Sequence, residues 1–266
     1  MPKFAANLTM LFGEHEFLDR FKAAADAGFK GVEYLFPYSY EKEQLVERLT
    51  VHGLTQVLHN LPAGDWAKGE RGIACHPDRV GEFQDGVETA IEYASTLGCK
   101  QVNCLAGITP QKASPEKVRG TFVANLRFAA EKLKSAGIRF VIEPCNTRDI
   151  PGFYLTRSQQ ALDIIDEVGS DNLSLQYDIY HMQIMEGDLA PTIERNLSKI
   201  RHMQLADNPG RNEPGTGEIN YPFLFQFIDK LGYGGWIGCE YKPAKTTTQG
   251  LGWMKPYSKV LASDAA

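Results

Sequence analysis

Short apolar runs alternate with longer amphipathic stretches along the whole chain. The runs FAANLTM (4–10), GVEYLF (31–36), LTQVLHN (54–60), QVNCLAG (101–107), RFVIEP (139–144), LSLQYDIY (173–180), IRHMQLAD (200–207) and GWIGCEY (235–241) have the length and β-branched content of buried strands. Helical patterns follow each in turn: FLDRFKAAADAG, EKEQLVERLTVHG, residues 78–97, a stretch within 115–136, SQQALDIIDEVG, a stretch near 189–198, YPFLFQFIDKLG and a last one near 253–261. In the third of these, Val80, Phe83, Val87, Ile91, Ala94 and Leu97 recur at spacings of three and four, which marks one face of a helix. Several helices run into a glycine (Gly28, Gly98, Gly137, Gly169, Gly232), the residue that most easily takes the left-handed stop.

Eight strand–helix units predict a single-domain (β/α)8 TIM barrel. No linker or composition shift divides the chain, so residues 1–261 are expected to form one domain and 262–266 a flexible tail. A doubly wound open sheet is the competing count. It is disfavoured because no GxGxxG follows the first strand.

Composition narrows the function. A net charge of -5 argues against a general nucleic-acid binder but leaves room for a small anion held by a few local cations. No apolar run approaches the ~18 residues of a membrane span, and the opening MPKFAANLTMLFGEHEF lacks the features of a secretory leader. The cysteines are odd in number and scattered, without a CxxC pair, as in a protein of the reducing cytoplasm.

In such barrels chemistry sits at the C-terminal strand ends. Four consecutive strands close on oxygen donors: Glu143, Asp178, Gln204 and Glu240. Neighbouring strands lie about 4.8 Å apart, so the four heads can converge. Three carboxylates in one mouth repel strongly unless a cation neutralises them. An all-oxygen set favours Mg²⁺ or Mn²⁺ over Zn²⁺.

The stretches FAANLTMLFGE, GVEYLFPY, LHNLPAGDWAKGERGIACHP, IEPCN, QYDIYHMQIMEGD, ADNPGRNEPGTGEINY and GWIGCEYKP resemble the xylose-isomerase-like barrel superfamily and, within it, the hydroxypyruvate isomerases. The resemblance covers nearly the full length. The GDWAKGERGIA insertion separates this branch from ketose 3-epimerases. The resemblance implies that Glu143 and Glu240 transfer protons, that Glu143, Asp178, Gln204 and Glu240 contact the metal, and that His181 contacts substrate. Related epimerases place a His where Gln204 stands.

The implied chemistry moves a proton between C3 and C2 of hydroxypyruvate through an enediolate, giving tartronate semialdehyde. It needs two carboxylates and stabilisation of an oxyanion. The resemblance thus implies a small anionic hydroxy-keto acid as substrate. Arg211, in the stiff PGRNEPGTG loop, suits its carboxylate. His59 closes strand three and is a pocket candidate. Lys242 shares the parity of Glu240, and Arg71 lies in the 64–77 insertion, a candidate lid; both are further substrate-binding candidates. His202 shares the parity of Gln204 and is expected one layer deeper, behind the ligands. Glu33 is expected in a structural ion pair. A homo-oligomer is carried as a partner expectation. The rival readings are a 2-oxotetronate isomerase, a ketose 3-epimerase, an endonuclease-IV-like enzyme and a non-catalytic sugar-acid binder.

Overall fold

A computed structural model describes residues 1–257. Eight parallel strands close into a barrel in sequence order: β1 (Lys3–Asn7), β2 (Gly31–Glu33), β3 (Thr55–Asn60), β4 (Gln101–Cys104), β5 (Arg139–Ile142), β6 (Leu173–Asp178), β7 (Ile200–Leu205) and β8 (Trp236–Cys239). Parallel neighbours need crossovers, and helices supply them: α1 (Arg20–Asp26), α2 (Lys42–Val51), α3 (Val80–Leu97), α4 (Pro115–Ser135), α5 (Ser158–Val168), α6 (Ile179–Met185), α7 (Leu189–Asn196) and α8 (Tyr221–Lys230). The expected barrel is the one found. The last helical pattern begins as a short turn, α9 (Thr247–Gly250), with a 3₁₀ segment over Leu251–Tyr257; its remainder and the expected tail lie outside the described residues.

The strands are shorter than their apolar runs. Ladder pairing stops where the chain turns away, and the remaining apolar residues of the runs, such as Leu8, Leu105 and Ala106, are buried beyond the strand ends. The largest difference is at LSLQYDIY. The strand ends at Asp178, whose Oδ1 accepts from the backbone N–H groups of Tyr180 (2.7 Å) and His181 (3.1 Å) and so starts α6. An acidic N-cap overrides the apolar pattern there. On α3 the buried face is Phe83, Val87, Ala90, Ala94 and Leu97, with Val80 and Ile91 at its edge. Gly86 lies on that face against Pro62.

The main core fills the layer between barrel and helices. A second cluster, Ala5, Val57, Leu58 and Val141, with Trp236 packed on it, plugs the N-terminal end of the barrel. Gly31 leaves room for that indole. Above the plug the barrel interior turns polar. Glu33, fully buried, accepts from Asn7 Nδ2 (3.0 Å), Gln204 Nε2 (2.7 Å) and His202 Nε2 (2.7 Å). A Cβ at Gly238 would collide with the Glu33 carboxylate where its three donors hold it, so glycine on β8 leaves room for that carboxylate.

Candidate active site

A cavity of about 610 Å³ opens at the C-terminal ends of the strands. Glu143 and Glu240 reach its floor from the ends of β5 and β8, both buried. Ligand atoms of Glu143, Asp178, His181 and Glu240 lie within 4.8 Å of one another. The free Oδ2 of Asp178 is buried and has no hydrogen-bond partner among the described residues, while its Oδ1 caps α6. A charged oxygen left bare in the interior marks a place for a cation or a donor.

The two glutamates are held differently. Glu143 Oε2 accepts from Asn103 Nδ2 (2.9 Å), which also donates to Asn60 Oδ1 (3.1 Å). Burial, then the charges of Glu240 and Asp178, push Glu143 well above the usual carboxylate range. Glu240 accepts from Asn7 Nδ2 (3.3 Å) and from Arg211 Nη2 (2.7 Å). It too is raised, chiefly by burial, but the Arg211 guanidinium opposes the rise.

His181 Nδ1 faces two N–H donors of Asn146, the side-chain amide at 2.6 Å and the backbone at 3.3 Å. The Asn146 amide is oriented by its own oxygen, which accepts from Asp149 N (2.7 Å). Nδ1 is therefore an acceptor, and this network puts the proton of the neutral ring on Nε2. Burial pushes His181 down to about 4, so the ring is neutral near pH 7. Its Nε2 lies 3.7 Å from Asp178 Oδ2 and 3.9 Å from Glu143 Oε1.

Arg211 stands in the left-handed region (φ 55°) and lies over the Tyr180 ring, 5.1 Å from its centroid. Its Nη1 donates to Asp149 (3.2 Å), so two carboxylates balance its charge. The loop that carries it is organised by buried Asp207. That carboxylate accepts from the backbone N–H groups of Asn208 (3.0 Å), Gly215 (2.9 Å), Gly217 (2.9 Å) and Ile219 (3.1 Å). A Cβ at Gly217 would meet the Asn208 carbonyl.

Lys242 and Arg71 line the cavity as expected from their positions. His59 does not. It is fully buried on the outer side of β3, where its Nδ1 is 3.3 Å from the Tyr38 hydroxyl; its neighbour Asn60 lines the cavity instead. Adjacent strand residues face opposite ways, and the inner position belongs to the asparagine. His202 lies below the floor, connected to Glu240 through Glu33 and Asn7. Gln204 is part of the same ladder: its Nε2 is given to Glu33 and its Oε1 accepts from Gln176 Nε2 (2.7 Å). One lone pair of that oxygen remains. Sequence reasoning missed Asn7, Asn60, Asn103, Asn146, Asp149 and Tyr180. The first three are polar residues inside apolar strand runs, the same signal that pointed to Gln204.

Comparison with known proteins places this architecture. Residues 21–257 match the model of the xylose isomerase-like TIM barrel family. The chain belongs to that family. It is 58% identical to hydroxypyruvate isomerase of Escherichia coli K12 over 97% of this chain and 100% of that protein. It is 49% identical to 2-oxo-tetronate isomerase of Cupriavidus necator, over 97% and 99%. Among solved structures it is similar to a protein described as AP endonuclease, family 2, from Brucella melitensis: TM-score 0.95, 45% identity, covering 97% of this chain and 100% of that one.

Proposed function

We propose that this chain is an isomerase interconverting hydroxypyruvate and tartronate semialdehyde by carboxylate-mediated proton transfer through an enediolate. The observation that carries the reading is the pair of buried glutamates, Glu143 and Glu240, on the floor of one cavity at the strand ends. The 58% identity to a hydroxypyruvate isomerase over its whole length supports the same substrate class.

In the forward direction one glutamate takes a proton from C3, leaving an enediolate across C2 and C3. The other glutamate delivers a proton to C2, while the O3 hydroxyl proton passes to O2, so the product carries an aldehyde at C3 and a hydroxyl at C2. The Arg211 charge opposes the rise of both glutamates, but only Glu240 is hydrogen-bonded to it, whereas Glu143 is hydrogen-bonded to the neutral Asn103 amide. That asymmetry favours Glu240 as the base and Glu143 as the returning acid. His181 presents Nε2–H to the reacting oxygens as a donor, its ring fixed by Asn146.

The donor set fits a hard divalent cation. The bare oxygen of Asp178, together with Glu143 and Glu240, offers carboxylate oxygens to such an ion, and Gln204, whose oxygen keeps one lone pair, is the further oxygen donor that the family resemblance implies. His181 is excluded from this set by the proton on Nε2. Bound there, Mg²⁺ or Mn²⁺ supplies Lewis-acid stabilisation of the developing oxyanion.

A second reading, 2-oxotetronate as preferred substrate, is favoured by the 49% identity to a 2-oxo-tetronate isomerase. The endonuclease named for the Brucella protein has less support in this chain. The cavity floor is built from carboxylates, which repel phosphodiesters, and the net charge is -5. Free, buried cysteines at all five positions fit a cytoplasmic setting.

The test is NMR of hydroxypyruvate and of 2-oxotetronate, each incubated with the protein in D₂O, with Mn²⁺ or with EDTA. Deuterium entering hydroxypyruvate together with tartronate semialdehyde supports the lead reading. Turnover of the four-carbon acid alone moves the assignment to the second. No exchange in either acid by folded, Mn²⁺-supplied protein would sink both.

A further inference from the structure

The expected carboxylate clamp, Arg211, is already committed. Its two terminal nitrogens go to Glu240 and Asp149, and its Nε is buried without a partner. Bringing a substrate carboxylate to it would break one of these bonds or add a third anion to a balanced pair. The cavity holds another guanidinium in the opposite condition. Arg71 Nη1 donates to the backbone carbonyls of Trp66 (3.1 Å) and Glu70 (2.7 Å). Its Cζ lies over the Trp66 ring, 4.0 Å from the centroid, and Trp66 packs edge-on against Phe36. Among the described residues Arg71 pairs with no carboxylate, and its Nε and Nη2 have no protein partner. Those two N–H groups form the side edge that receives a carboxylate through parallel hydrogen bonds.

Arg71 is also held in place. The next residue, Gly72, has φ 114° and donates its N–H to Ala63 O (3.0 Å); a Cβ there would strike the Leu105 carbonyl. Cys75 N bonds Ala106 O (2.9 Å), and buried Asn125 donates to Ala74 O (2.9 Å). Glu70 closes the loop from the other side, accepting from Asp65 N and pairing with Arg79. The insertion is pinned at its base and delivers one cation, stacked and half satisfied, to the cavity wall.

We infer that Arg71, stacked on Trp66, is the residue that binds the substrate carboxylate, and that Arg211 is a positioning residue for Glu240. This rests on the isomerase reading above. It carries a consequence for specificity. In hydroxypyruvate and in 2-oxotetronate alike the carboxylate is attached to C2, and the proton moves between C3 and C2. The extra carbon of the longer acid extends from C3, away from the carboxylate. Arg71 therefore selects acids over neutral ketoses without distinguishing the two chain lengths, which is left to the wall on the C3 side.

The test is steady-state kinetics of the Mn²⁺-supplied full chain with both acids, comparing wild type, Arg71→Gln, Arg71→Lys and the exposed control Lys68→Gln. Inhibition by glycerate and by neutral dihydroxyacetone is measured alongside. Loss of a charged, two-point contact predicts a KM higher by about 10- to 100-fold for both acids in Arg71→Gln, with kcat within about threefold. Glycerate inhibition weakens by the same factor and dihydroxyacetone inhibition does not. Arg71→Lys recovers part of the loss, and Lys68→Gln matches wild type. An unchanged KM in Arg71→Gln, a loss confined to kcat, or equal weakening of the neutral inhibitor would each overturn the assignment. Failure of the wild-type protein to turn over either acid would instead remove the isomerase reading beneath it.

Discussion

Glu143 and Glu240 are the residues on which the proposed chemistry turns, and their replacement by glutamine is the most direct probe. The amide keeps the acceptor that Asn103 or Arg211 uses, so the fold is retained, but it cannot take up a proton. Each variant is expected to lose about 10²–10⁴ in kcat, checked by turnover and deuterium exchange beside a melting curve. A variant with substantial exchange would dismiss that glutamate as a proton carrier. At the same scale, His59 shows how a plausible site residue goes astray. LHN closes a strand on two polar residues, and only the pleat decides which faces inward. Burial in the outer layer pushes His59 down to about 4, so it stays neutral where a free histidine has begun to charge. Proton-coupled ¹⁵N NMR of the folded protein should find its ring unprotonated at pH 5.5; a charged His59 at that pH would contradict the buried setting.

The elements were legible in the sequence to different degrees. The eight strands and their helices follow from apolar periodicity because each must bury one face, and Glu143, Asp178, Gln204 and Glu240 stood out as polar ends of apolar runs. Helix α6 did not, because IYHMQIM continues the apolar run of β6 and only the capping geometry of Asp178 separates them. A neutral amide signals less in a sequence than a carboxylate or a histidine, yet Asn7, Asn60 and Asn103 orient the site through hydrogen bonds. Pro and Gly content predicts a stiff loop after β7, but the organiser of that loop, Asp207, shows itself only through the four N–H groups it gathers. Removing that acceptor leaves buried donors unsatisfied at about 1–3 kcal/mol each, partly regained by water and loop relaxation. Asp207→Ala is therefore expected to cost several degrees of Tm and to speed amide exchange through residues 208–219. It should also lower kcat by releasing Arg211 from Glu240. Unchanged exchange in that loop would show that the Pro and Gly residues suffice to hold it.

At the scale of the whole molecule, the site works against the fold that supports it. Burial and neighbouring carboxylates raise Glu143 and Glu240 above their unfolded values. For a raised carboxyl the folded state binds more protons than the unfolded one, so its stabilising effect is complete below about pH 4.5 and is lost as pH rises through the folded value. The buried histidines act in the opposite sense. His59 and His181 are pushed down to about 4, so the unfolded state takes up protons first and stability falls as pH drops from about 6.5 toward 4. Between these values the two effects offset each other. Above pH 6.5 only the carboxylates remain, and the metal-free protein should lose stability from pH 6.5 to 8. A divalent cation that binds only the folded site adds stability by mass action and binds better as the glutamates ionise. The Tm increase on adding Mn²⁺ to EDTA-treated protein should therefore be larger at pH 8 than at pH 5.5. Glu143→Gln should raise the metal-free Tm at pH 8, by about 2–4 °C for each kcal/mol of repulsion removed, and shrink the Mn²⁺ response. A Tm that holds level from pH 6.5 to 8 without metal, with no gain from Mn²⁺ in the wild type, would show that the cluster is neutralised by protons and Arg211 alone.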